Sequence, residues 1–144
     1  MNQAGALQFL SAEWVDACMA AINASETYRV TSADWTHGPV ALVAAAQPAL
    51  GLERAQGVWI DLDRGICRAA RLVSPEEAEG APFTLTSDYA SWKQVLRKQL
   101  SPIAGILERR ITLTGSLPVI LRYVKSAEAL VSAVATVPTR FMDE

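Results

Sequence analysis

Apolar side chains recur along this chain in two rhythms. Leu10, Trp14, Cys18 and Ile22 fall every four residues, which is one stripe of an α-helix. Ser11 stands where a hydroxyl caps free amides, and Glu13 lies in the first turn, where the helix dipole favours an acid. Leu10 and Val15 occupy the apolar positions on either side of that cap. The helical pattern fades near Asn23–Ser25.

The middle of the chain changes to a period of two. Tyr28 and Val30 alternate with Arg29 and Thr31, which predicts a strand. A turn at His37-Gly38-Pro39 leads to the short apolar run Val40–Ala46, a second strand. Gln47–Gln56 is expected to be a loop. Val58, Ile60 and Leu62 then alternate with Trp59, Asp61 and Asp63, as in a strand buried on one face. Asp63-Arg64-Gly65 makes a turn, and Ile66–Val73 returns as the hairpin partner. Ser74–Pro82, with three glutamates and two prolines, reads as a surface loop. Phe83 and Leu85 alternate with Thr84 and Thr86 in a further strand.

Helical spacing then resumes. Ser87 or Asp88 caps a helix carrying Trp92, Val95, Leu96 and Leu100. Pro102 interrupts it, and a shorter helix carries Ile103, Ile106 and Leu107. Ile111–Thr114 is a short strand ending at Gly115. Ser116 caps a final helix expected to run to about Thr136, with Pro118 tolerated in its first turn. Apolar residues cover most of this last helix, so it must bury two faces. One packs on the sheet; the other needs a second helix, a second subunit or a ligand. The order of elements predicts an α+β fold with a mostly antiparallel sheet of roughly five strands, helices covering one face, and a single domain over residues 1–144.

Composition narrows the function. The chain is 51% apolar, and its 13 basic and 15 acidic residues give a net charge of -2. Its one basic block is the pair Arg109–Arg110, too little for a nucleic-acid footprint. Cys18 and Cys67 lie far apart and form no CxxC, and they read as small buried thiols. No signal peptide, membrane-spanning run or Ser-Lys-Leu-type address is evident, which makes a cytoplasmic protein the expectation.

Reactive groups are sparse. His37, the sole histidine, has no partnered nucleophile near it in sequence, and reads as a turn residue. One histidine and two scattered cysteines do not make a zinc site. Asp61 and Asp63 share one strand face, opposite Val58, Ile60 and Leu62, which reads as a solvated face. There is no phosphate-cradling glycine pattern and no Gly-x-Ser-x-Gly elbow. No catalytic residue, metal or cofactor is expected. Trp14, Trp35, Trp59 and Trp92 are spread over four elements, where they pack a core or line a cavity.

The stretch Leu100–Leu121 carries a resemblance. Leu100-Ser101-Pro102 is followed by Ile106-Leu107, then by Arg110-Ile111-Thr112-Leu113-Thr114-Gly115-Ser116-Leu117-Pro118. This is similar to the sterol carrier protein type-two domain. In that family a Leu-Asp-Pro turn precedes an apolar pair, and a basic residue leads a short strand ending in Gly-Asp, the cap of the final helix. Phe83–Asp88 followed by Trp92 resembles an upstream strand of the same domain. Lys98, Gly105, Arg109 and Ser116 depart from the pattern, as in a divergent member of prokaryotic type.

The resemblance implies an apolar tunnel between the sheet and the C-terminal helices, and a hydrophobic ligand such as a fatty acyl chain, phospholipid, sterol or isoprenoid. The candidate lining residues are Trp92, Leu96, Leu100, Ile103, Ile106, Leu107, Val119, Tyr123, Leu130 and Val134. The same side chains also suit an ordinary core. Burying a methylene is worth roughly 0.8 kcal/mol, so a long acyl chain needs no reactive group to hold it. Two other readings stand beside the carrier. One is an accessory module that meets an enzyme or a second copy through the last helix, with a transient membrane or enzyme contact and a homodimer as its expected partners. The other is an enzyme acting on a hydrophobic substrate through Asp61, Asp88 or His37.

Overall fold

The computed structural model describes residues 5–144. A short strand β1 (Leu7–Gln8) leads into α1 (Ala12–Ala24), and Ser11 caps it by accepting the Trp14 N–H. Next comes α2 (Glu26–Thr31), where a strand was expected. Ser25 accepts the Tyr28 N–H and starts a new helix, and this local capping outweighs a two-residue alternation. A strand would have put Tyr28 and Val30 on one face; instead Tyr28 is buried and Val30 stands 62% exposed.

Four strands follow as predicted: β2 (Val40–Ala45), β3 (Gln56–Asp63), β4 (Ile66–Val73) and, after the short helix α3 (Pro75–Ala78), β5 (Phe83–Asp88). The loop before β3 contains a single turn of 3-10 helix at Pro48–Leu50. Ser74 caps α3 within the segment read as loop. The β3–β4 hairpin turns through Arg64 and Gly65, both at positive φ. A Cβ on Gly65 would lie 2.6 Å from the Arg29 carbonyl oxygen, so the turn nests against α2 only with glycine there.

Asp88 caps α4 (Tyr89–Leu96), which ends before Leu100, and α5 (Pro102–Leu107) starts at Pro102. After β6 (Thr112–Thr114), the expected single final helix is two: α6 (Leu117–Arg122) and α7 (Val124–Val134). Tyr123 breaks it, with φ −117° and ψ 34°. Its ring lies edge-on to Trp35, and its hydroxyl donates to the Asp34 carbonyl at 3.3 Å. That tertiary anchor offsets the helical bonds lost at the break. Finally β7 (Thr139–Arg140) pairs in parallel with β1, a two-stranded closure no sequence pattern announced.

The main sheet has the order β4-β3-β2-β5-β6, antiparallel except for the parallel central pair β2–β5. A register shift between Asp61 and Leu62 bends the β3–β4 ladder. Val40, Leu42, Val58, Ile60 and Leu62 point to the face covered by α1, α2, α4 and α7. The opposite face carries Ala41, Val43 and Trp59, and α3 lies against it through Ala78. Among the described residues no helix is long and apolar enough to cross a membrane.

Candidate functional site

A cavity of about 180 Å³ lies between the sheet and the helices. It is similar in size to the ~150 Å³ apolar cavity that holds a benzene. The floor is the sheet face carrying Val40, Leu42, Val58 and Ile60. The walls come from α1, α4, α5 and α7, with α2 and α6 at the margins. Amphipathic patterning turns each helix's apolar stripe inward onto the pleated floor, and the cavity is the volume these side chains leave unfilled.

Seven of the ten predicted residues line this cavity: Trp92, Leu96, Ile103, Ile106, Tyr123, Leu130 and Val134. Leu100, Leu107 and Val119 do not. Leu100 is buried beside Val95 and Ile111 in a small cluster of its own. Leu107 points outward, 61% exposed, because α5 is too short to bury both ends of its stripe. Val119 packs half-buried against the main core. Trp92 is fixed by its indole N–H, which donates to the Val43 carbonyl at 2.8 Å.

The prediction omitted α1 and the sheet floor. Trp14, Cys18, Met19 and Ile22 contribute one wall. Their stripe was legible at i, i+4 spacing, but spacing cannot tell a wall around a gap from one packed solid. Burial pushes the Cys18 thiol up to about 12 and the Cys67 thiol to about 11, so both are protonated at neutral pH.

No charged side chain and no histidine lines the cavity among the described residues. His37 sits between the rings of Trp35 and Tyr123, at 5.1 and 5.7 Å between centroids. Asp61 pairs with Arg68 at 3.1 Å on the far side of the sheet. Asp88 uses a carboxylate oxygen to accept the Ser91 N–H as a helix cap. The three candidate acid–base groups are therefore apart from one another and from the cavity. No group of three or more metal-ligating side chains gathers among the described residues.

An open, mostly antiparallel sheet closed by helices over an apolar cavity defines an α+β fold built around an internal hydrophobic site. Solved structures share this fold. A crystal structure of sterol carrier protein 2 superposes with a TM-score of 0.82 at 29% identity, covering 90% of this chain and 98% of that one. The solution structure of a conserved hypothetical protein from Thermus thermophilus gives 0.82 at 28%, covering 92% and 91%. A sterol carrier protein domain of Helicoverpa armigera shares the fold at 12% identity, with a TM-score of 0.56 and coverage of 83% and 86%. No protein-family model and no curated protein matches the chain. The chain has the fold of the sterol carrier protein 2 structures.

Proposed function

We propose that this protein binds a lipid or other hydrophobic small molecule in the cavity between sheet and helices, and carries or presents it without chemical change. The observation that carries the reading is the cavity wall, apolar over nearly its whole extent and free of charged groups among the described residues. Such a wall gains free energy from each methylene it desolvates and offers nothing to a charged group.

The test is native mass spectrometry of freshly purified protein against its denatured mass. Extra mass that leaves on denaturation and matches a lipid supports the proposal. A bare protein that also takes up no fluorescent fatty acid refutes it.

A second reading, an accessory module that meets an enzyme or a second copy, draws on Leu107 and Leu121, which stand 61% and 43% exposed. Its signature is a dimer that persists on dilution and yields no extractable ligand.

A further inference from the structure

The cavity wall changes character where α2 ends. Ser32 closes that helix, its backbone N–H donating to the Tyr28 carbonyl at 3.0 Å. Ser32 is 1% exposed and lines the cavity, and its side-chain oxygen makes no hydrogen bond to any protein group. One turn earlier, Tyr28 lines the same wall. Burial pushes its phenol up to about 12, and the nearby Ser32 hydroxyl pulls the other way. From α7, Ser126 also lines the wall; its hydroxyl donates to the Thr31 carbonyl at 2.7 Å and keeps its lone pairs free to accept. Three hydroxyls thus gather around the end of α2 in an enclosure whose remaining wall is mostly apolar, with Gln56 and Tyr123 its other polar side chains.

A buried hydroxyl left without a partner disfavours the folded state by roughly 5- to 150-fold in its equilibrium constant. The group that completes Ser32 must itself be uncharged. No lysine, arginine or histidine lines the cavity among the described residues, so an ionised headgroup would have no counter-charge. Keeping a carboxyl protonated at neutral pH weakens binding by more than roughly a hundredfold.

We propose that Ser32, with Tyr28 and Ser126 beside it, is a subsite for a neutral oxygen of the ligand: the hydroxyl, ketone or ester carbonyl of an otherwise apolar molecule. The inference rests on the reading of the cavity as a lipid site and adds a polarity and a direction to it. The neutral oxygen enters first and stops at the end of α2. An ionised fatty acid enters tail-first and leaves its carboxylate at the mouth.

The experiment titrates tryptophan fluorescence with 1-dodecanol, dodecane and laurate at neutral pH, in the natural protein and in Ser32→Ala. Trp14 and Trp92 line the cavity and report occupancy. Ser32→Ala is expected to weaken 1-dodecanol about 5- to 10-fold and to leave dodecane and laurate within twofold. Tyr28→Phe, which keeps the ring, is expected to weaken 1-dodecanol alone, by less. An equal loss for all three ligands means that Ser32 only packs, and overturns the subsite. No loss for any ligand means that the hydroxyl meets something other than the ligand, and also overturns it. Failure of the natural protein to bind any of the three removes the lipid reading together with the subsite.

Discussion

Gly105 offers a direct test of how tightly the wall of the cavity is packed. It lies within α5, where alanine is intrinsically better than glycine by about 1 kcal/mol. A Cβ at this position would stand 2.6 Å from Cδ1 and 3.0 Å from Cγ1 of Ile111, a residue 2% exposed. Ile111 cannot swing away freely, because the Gly105 carbonyl accepts both the Arg110 N–H at 2.8 Å and the Ile111 N–H at 3.0 Å. Overpacking of this kind costs about 1–3 kcal/mol. Gly105→Ala alone is therefore expected to lose about 0–2 kcal/mol despite its better helix propensity.

Ile111→Val removes Cδ1 and by itself costs about 0.5–1.5 kcal/mol. Together the two changes relieve each other, since valine lacks the Cδ1 that the new methyl would meet at 2.6 Å. The double variant is expected within about 0.5 kcal/mol of the natural protein, a coupling of about 1 kcal/mol or more wherever the single losses sum to about 1.5 kcal/mol or more. Urea denaturation followed by circular dichroism measures all four corners of the cycle. A double variant that loses the sum of the single losses, within about 0.5 kcal/mol, would refute the packing argument.

Two further predictions concern the wall formed by α1. The Asn23 side chain donates to the Cys67 carbonyl at 2.9 Å and accepts the Cys67 N–H at 2.8 Å, pairing the edge of β4 as a strand would. Asn23→Ala leaves both backbone groups buried and unpaired, and is expected to cost about 1–3 kcal/mol in urea with an unchanged m-value; a loss below about 0.5 kcal/mol contradicts this role. Burial raises Cys18 and Tyr28 to about 12 and Cys67 to about 11, against ordinary values of 9.0, 10.0 and 9.0, so the folded state holds more protons than the unfolded chain between them. Stability is therefore full below about pH 9 and falls as pH rises towards 11 and 12, a slope that Cys18→Ala should flatten in pH-resolved urea melts.

Much of the fold was legible because its signals are local. Caps at Ser11, Asp88 and Ser116 each satisfy an amide three residues on, and a cap is a property of four consecutive residues. The alternation at Val58, Ile60 and Leu62 fixes which face of β3 is buried, since a strand has only two faces. Where local signals were thin, partners distant in the chain decided. Tyr28 to Thr31 offered too little alternation to outweigh the cap at Ser25. The break at Tyr123 depends on Trp35 and Asp34, nearly ninety residues away. The β1–β7 pair joins two dipeptides that carry no pattern of their own.

The amino-acid sequence by itself determined the α+β class and most strands of the main sheet, because hydrophobic period and capping are read within a few residues. Only the tertiary structure decided that these faces enclose a cavity. Filling is a property of the volume left when several elements meet, and the same stripe of Trp14, Cys18 and Ile22 would pack a solid core equally well. It also decided that Leu107 faces outward, and that Ser32 is buried with its hydroxyl unpartnered. A serine after a short helix gives no sign of this in sequence, since its burial comes from elements folded around it.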